Sequence, residues 1–296
     1  MNTVQKKEEV SNLINQFAPF DTDLDLAMQR NVAEALSEDV GACDLTGKLV
    51  PADQRVDAHV IVRDDAVLCG APWFDAVMSA LDPTIVVEWQ YAEGDLMAKN
   101  SLVCKINAPA RALLTAERSA LNFLQLLSAV ATSTRHFVNI VKGTRSAILD
   151  TRKTLPGLRL AQKYAVRVGG GVNQRLALYD GILIKENHIA AAGGIVPALQ
   201  MAQALEAGVS IQIEVENLDQ LQQALQSGAG SILLDNFNTD MMRAAVELNG
   251  GRALLEASGG VDVNSVRSIA ETGVDRISIG SLTKDIKATD YSLRIV

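Results

Sequence analysis

The sequence predicts an α/β protein in which an incomplete (β/α) barrel follows an N-terminal α+β sandwich domain. Three observations carry that reading. Beyond residue 145, apolar β-type runs recur at 147–149, 182–184, 211–215, 231–234, 253–255 and 276–279. Helical segments at 195–207, 217–227, 238–249 and 263–272 fall between the later runs. The last four runs begin about 20–23 residues apart, and each ends in polar or glycine residues. Near-continuous apolar strands alternating with helices indicate a parallel sheet with right-handed crossovers. So short a repeat is tight for an open sheet and normal for a barrel. With an extra run near 164–168 the count is six or seven strands, short of eight.

The N-terminal part has a different texture. Residues 4–17 and 24–39 read as helices, the second with Leu24, Met28, Val32, Ala35 and Leu36 on one face and Gly41 as its stop. Strands are expected at 56–63, 66–70, 85–92 and 102–106, with a helix over 72–81. The stretch from 112 to about 142 is Ala/Leu-rich and free of Pro, which gives one or two helices. Domains are therefore expected at 1–128 and 129–284, the tail 285–296 being free to pack with the first.

Composition excludes several classes. Net charge is −8, pI is near 5.0, and no Lys/Arg cluster with interleaved aromatics occurs, so nucleic acid is not the expected partner. No apolar stretch reaches the 18 or so residues of a membrane span. The start, MNTVQKKEEVSNL, lacks an apolar signal core, so a cytoplasmic location is expected. Cys43, Cys69 and Cys104 are widely separated and form no CxxC pair, which leaves neither a zinc site nor a disulfide framework.

Against this acidic background, Arg152, Lys153, Arg175 and Lys185 fall within 34 residues, three of them where strands should stop. Active sites of barrels lie at the carboxyl ends of the strands. Guanidinium forks hold carboxylates bidentately and an ammonium acts as a point charge, so an anionic ligand with several charged groups is expected. Lys185 alternatively suits a Schiff-base lysine. Glu214 and Asp235 end successive strands and suit Mg²⁺ held partly through water, ribose hydroxyls, or salt bridges to the lysines. Glu216 and Asp150 share those strands with less claim. Ser258-Gly259-Gly260 and Ile279-Gly280-Ser281 end the last two strands, where backbone N–H groups beside helix starts cradle phosphate. The triple glycine 169–171 is less specific, since close backbone packing explains it equally. His59 and His136 read as structural and His188 as a positioning residue. Arg118 and Asn122 are i, i+4 neighbours on one helix face, and by pattern alone Arg118 is a solvated helix charge. No Ser/His/Asp or Cys/His arrangement is legible.

The motifs LLTAERSALNFLQLLSAVAT, LDTRKTLPGLR, GGGVNQR, ILIKENH, IEVEN, LLDNF, ASGGV and SIGSLTK keep the order and spacing of a known family. Over most of residues 25–290 the chain resembles quinolinate phosphoribosyltransferase (nicotinate-nucleotide pyrophosphorylase, carboxylating). The resemblance implies a homodimer and a type II phosphoribosyltransferase fold. It implies that quinolinate and 5-phosphoribosyl diphosphate give nicotinate mononucleotide, CO2 and diphosphate, as in NAD biosynthesis, with Mg²⁺. By motif, Arg152, Arg175 and Lys185, with Thr151 and position 174 beside them, would hold the quinolinate carboxylates, and Arg118 would reach into the partner's site. Lys153, Glu214 and Asp235 would handle the diphosphate, ribose and Mg²⁺. Ser258, Gly259 and Gly260, with Ile279, Gly280 and Ser281, would take the 5-phosphate, Lys284 nearby. One departure stands out: the family usually has histidine where this chain has Gln174, and Ala177 and Tyr179 are also unusual. A molybdenum-transport-associated relative with the same fold and motifs is therefore the alternative.

Overall fold

A computed structural model describes residues 21–51 and 53–296. The helix expected at 4–17 lies outside the described residues. The chain forms two compact units. The first gathers the described part of Met1–Arg135 together with Thr154–Gly170 and Thr283–Val296, and the second comprises His136–Lys153 and Gly171–Leu282.

In the first unit, β1 (Arg55–Val62), β3 (Val86–Trp89), β5 (Leu102–Pro109) and β12 (Tyr291–Ile295) form an antiparallel sheet of order β12-β1-β5-β3. A second ladder joins β2 (Ala66–Val67) to β4 (Leu96–Met97). The helices are α1 (Asp21–Val40), α2 (Ala71–Leu81), α3 (Ala110–Ile140), whose residues from His136 onward belong to the second unit, and α4 (Arg159–Val168). Sequence dictates how each packs. On α1, Leu24 and Val32 are buried while Met28, Ala35 and Leu36 pack at the core's edge, which is the apolar stripe read from spacing. The Ala/Leu-rich stretch is one helix of 31 residues, and it buries Leu113, Leu121, Leu124, Leu127 and Val130 completely or nearly so. Each such side chain contributes about 1.5–3 kcal/mol relative to exposure.

Residues 164–168 are not a strand. They lie in α4, where Ala161, Tyr164, Ala165 and Val168 are buried at i, i+3, i+4 and i+7. The run looks continuous because this helix is buried on nearly every side, Gln162, Lys163 and Val166 included. Gly169, the first of the triple glycine, finds its reason in the same unit. A Cβ on Gly169 would lie 2.6 Å from the Ala131 carbonyl oxygen and 2.6 Å from Thr134 Cβ, so only glycine lets these backbones approach.

In the second unit, six parallel strands form one sheet of order β6-β11-β10-β9-β8-β7. They are β6 (Ala147–Leu149), β7 (Gly181–Ile184), β8 (Ser210–Val215), β9 (Ser231–Asp235), β10 (Leu254–Ser258) and β11 (Arg276–Ser278). Among the described residues β6 and β7 share no ladder; the outer side of β6 carries only a bridge from Leu149 to Val172. The sheet is an incomplete (β/α) barrel, with α5 (Glu186–Ala192), α6 (Ile195–Ala204), α7 (Leu218–Gln226), α8 (Thr239–Asn249), α9 (Val266–Ala270) and α10 (Ser281–Lys284) following the strands. Ile213, Val215, Ile232, Leu234, Leu255, Ala257 and Ile277 form its core with the helix faces. Asn217 and Asn238 cap α7 and α8, accepting from Gln220 N and Met241 N.

Candidate active site

At the carboxyl ends of the barrel strands lies a cavity of about 350 Å³. Thr151, Arg152, Lys153, Gln174, Arg175, Lys185, Glu214, Asp235 and Ser258 line it, so nine residues singled out by sequence converge in one unit. The alternation of a strand explains the floor. Side chains two residues before an end residue share its face, and Leu183, Leu233 and Glu256 sit two before Lys185, Asp235 and Ser258 and line the same cavity.

The cations are held from behind. Asp150, fully buried at the end of β6, accepts from Gln174 N at 2.8 Å and from Asn173 Nδ2 at 2.7 Å, fixing the segment that leads to Arg175. Arg175 Nη1 donates to the Gly181 carbonyl at 2.9 Å. Burial and the nearby Arg152 charge push the Arg175 guanidinium below its usual pKa, while Asp180 works against them. Two guanidinium groups that repel one another in a partly desolvated cavity form a site for a dianion. Arg152 Nε is buried without a hydrogen-bond partner among the described residues.

Lys185 Nζ lies 3.5 Å from Glu214 Oε2. Burial raises the Glu214 pKa, the Lys185 charge opposes that rise, and Asp235 and Glu186 add to it. Glu214 and Asp235 are thus close enough to feel one another across β8 and β9. Two carboxylates suit Mg²⁺ shared with phosphate oxygens and water, the way this ion is ordinarily bound. Among the described residues no group of three or more His, Cys, Asp or Glu could hold a metal. His188 Nδ1 accepts from Lys185 N at 3.0 Å at the start of α5, which orients the Lys185 backbone.

The glycine loops take different forms. Gly259 and Gly260 have φ of +106° and +58°, and α9 begins only at Val266, so that loop does not lead straight into a helix. Ser281 opens α10, as the sequence suggested for the second loop. Gly280 packs on the cation cluster: a Cβ there would sit 3.0 Å from Lys153 Cδ and 3.7 Å from Thr151 Oγ1. Ile279 is buried, and Lys284 is exposed and paired with Asp285 at 2.7 Å. Arg118 is in the first unit. With Asn122, Asn31, Glu34 and Glu38 it lines a different cavity of about 270 Å³.

Sequence reasoning passed over Glu256, Gln212 and Asn236. Glu256 is 1% exposed and lines the cavity. Its Oε1 is buried with no partner among the described residues. Asn236 Nδ2 donates to Asp235 Oδ2 at 2.9 Å. The period of two, counted back from Glu214 and Ser258, was the available signal for Gln212 and Glu256.

An incomplete parallel barrel that gathers cations, two carboxylates and glycine loops at its strand ends defines a class of enzyme acting on polyanionic, phosphorylated small molecules. The comparisons narrow it. Family models described as the quinolinate phosphoribosyl transferase N-terminal and C-terminal domains match residues 44–128 and 130–294. A probable nicotinate-nucleotide pyrophosphorylase [carboxylating] of Bacillus subtilis is 40% identical over 87% of this chain and 90% of that protein. A quinolinate phosphoribosyltransferase [decarboxylating] of Nicotiana glauca is 38% identical over 88% of this chain and 80% of its own length. The solved nicotinate-nucleotide pyrophosphorylase of Francisella tularensis superposes with a TM-score of 0.89 at 43% identity, over 91% of this chain and 96% of that one. The chain belongs to the quinolinate phosphoribosyltransferase family.

Proposed function

We propose that this protein condenses quinolinate with 5-phosphoribosyl 1-diphosphate, releasing CO2 and diphosphate and forming nicotinate mononucleotide. The single observation that carries the reading is the cavity in which Arg152, Arg175 and Lys185 meet Lys153, Glu214 and Asp235. The names of the relatives favour this reaction over the molybdenum-associated alternative.

The residues divide by charge. Arg175 and Arg152 take the two carboxylates of the pyridine acid, and binding a dianion removes their mutual repulsion. Gln174 and Thr151 add neutral hydrogen bonds, and Lys185 exchanges its Glu214 partner for substrate. Lys153, seated against Gly280, faces departing diphosphate, and the two glycine loops with Ser258 and Ser281 hold the 5-phosphate. Glu214 and Asp235 bind ribose hydroxyls and would hold Mg²⁺, whose contribution is to neutralise diphosphate charge. As positive charge grows at the ribose C1, these carboxylates stabilise it electrostatically while the pyridine nitrogen attacks. The nitrogen becomes quaternary, and its positive charge stabilises the electron pair left on the adjacent ring carbon when the carboxylate departs as CO2; a proton from water then takes the carboxylate's place on that carbon, so no protein nucleophile is required. Arg118, which lines a cavity of the first unit, belongs in this reading to the partner's site in a homodimer of a cytoplasmic enzyme.

The test is to incubate the protein with both substrates and Mg²⁺ and to measure nicotinate mononucleotide and CO2 together. Equal yields of the two establish the reaction; binding of phosphoribosyl diphosphate without either product overturns it.

A further inference from the structure

Behind Gln174 and Arg175 runs a line of polar side chains to which the reaction assigns no task. Gln212 on β8 is 6% exposed and Glu256 on β10 is 1% exposed, and their strand neighbours are apolar. Inside a parallel sheet, apolar side chains are the rule. A buried amide and carboxylate incur a desolvation cost there unless hydrogen-bonded, so their presence calls for a function.

The bonds form a directed series. Gln212 Nε2 donates to Glu256 Oε2 at 2.9 Å. Gln212 Oε1 accepts from Gln174 Nε2 at 2.7 Å. Gln174 Oε1 accepts from the backbone N–H of Arg175 at 2.5 Å. The Arg175 side chain is in turn tied to Gly181 O at 2.9 Å. An amide can exchange its oxygen and nitrogen by a half-turn, but an ionised carboxylate only accepts. Glu256 removes that freedom from Gln212, since Gln212 is its hydrogen-bond donor among the described residues. Gln212, so oriented, removes it from Gln174. The Gln174 oxygen is thereby aimed at Arg175.

We propose that Gln212 and Glu256 are positioning residues for the acid-binding arginine. Their relay fixes the Gln174 amide, and through it the Arg175 backbone, in the geometry that accepts the dicarboxylate. The neutral residue at 174 is then one member of a matched set of three, of which Gln212 lies outside the cavity lining and Glu256 forms part of the cavity floor. This rests on the reading of Arg175 as a carboxylate holder.

Steady-state kinetics of the full-length protein, with KM determined separately for quinolinate and phosphoribosyl diphosphate, tests it. Gln212→Met keeps length and volume and cuts both bonds. It is expected to raise the quinolinate KM about tenfold, the equivalent of about 1.4 kcal/mol, and to leave the phosphoribosyl diphosphate KM within twofold. The double variant Gln174→Ala/Gln212→Met is expected to be no worse than Gln174→Ala alone, because the two act through one chain. Equal rises in both KM values, or effects that multiply in the double variant, would mean that the pair only fills the barrel. Glu256→Gln preserves shape and removes the acceptor-only end, and gives a second reading should Gln212→Met fail to fold. It is expected to raise the quinolinate KM about threefold, and an unchanged value overturns the relay. A wild-type protein without turnover refutes the reaction instead, so the two failures are distinct.

Discussion

Gly259→Ala tests how backbone geometry is converted into a competent phosphate and ribose site. Gly259 has φ +106°, and a Cβ built there would stand 2.1 Å from Asn236 Oδ1, 2.8 Å from Asn236 Cγ and 3.1 Å from Asn236 N. Carbon–oxygen contacts of that kind do not occur below about 3 Å, so the Asn236 amide must retreat by roughly 1 Å. That amide donates to Asp235 Oδ2 at 2.9 Å, and an added ångström ends the bond. Asn236 is itself at φ +55° and its backbone N–H is committed to Ser258 O at 3.0 Å, so the residue has little room to yield. Two costs follow. An alanine held at positive φ is destabilised by about 1–3 kcal/mol, which lowers the melting temperature by roughly 2–4 °C per kcal/mol in a domain of this size. The charge-assisted bond to Asp235 is worth about 1.5–3 kcal/mol, which sets a rise of roughly tenfold or more in the phosphoribosyl diphosphate KM. Calorimetry and initial rates read the two separately. In Gly259→Ala/Asn236→Gly the obstructing side chain is gone but the alanine stays at positive φ, so stability should recover only in part while the KM stays high. A Gly259→Ala protein as stable as the wild type with an unchanged KM would refute the reasoning, as would a double variant no more stable than the single.

Other expectations follow from the same structure. Gln174→His introduces a chargeable donor, and bonds to charged groups exceed neutral ones by about 1 kcal/mol; the quinolinate KM should fall about fivefold, and a rise would count against the charge argument. Burial pushes the Glu93 carboxyl up to about 7, against the lowering effect of bonds from Gly70, Cys69, Tyr164 and Ala71. A raised folded-state value means that stability is intact below the ordinary carboxyl pKa and is lost as pH climbs to about 7, by about 3 kcal/mol in all. Urea denaturation at pH 5 and 8 should show that loss in the wild type and a flatter profile in Glu93→Gln; parallel profiles would discard the assignment. Arg118→Ala and Lys185→Met should each be nearly inactive, and mixing the two after mild dissociation should restore activity if the site is shared between copies. No recovery on mixing would mean that Arg118 does not act across an interface between copies.

The barrel was largely readable because its strands are buried on both faces and so appear as unbroken apolar runs such as ILI and SILLD. Where one period imitates another, reading failed: Tyr164–Val168 is apolar enough to pass for a strand, and only the spacing back to Ala161 marks the helix. The short α5, Glu186–Ala192, has no fully buried side chain, only Ile189 and Ala192 packing at the core's edge, and so gives a weak amphipathic signal. β12 was missed as a strand because YSLRI acquires its meaning from β1, about 230 residues earlier. The charged rim of the cavity was legible because ionisable residues at strand ends need a reason. Gln212 and Glu256 were not, since the motifs IQIEVEN and LLEASGG draw attention to their last members. Only the fold brings those two side chains together.

The antiparallel sheet has a further consequence, in the order of manufacture. β1 pairs on one side with β5, made shortly after it, and on the other with β12, through Ala58 to Ile295 and Val62 to Tyr291. Tyr291 then sinks into the core, 4% exposed, with its hydroxyl 2.8 Å from Ser128 Oγ. At translation rates of about 5–20 residues per second, β1 waits some 10–50 seconds for this neighbour. For that interval a nascent chain presents a bare strand edge, a template for pairing with another chain. The barrel strands, which lie between β5 and β12 in the chain, are synthesised in the meantime. Ribosome-bound chains stalled before residue 291 should therefore contain every barrel strand but an incomplete antiparallel sheet, and a chaperone that shields strand edges has its work at β1.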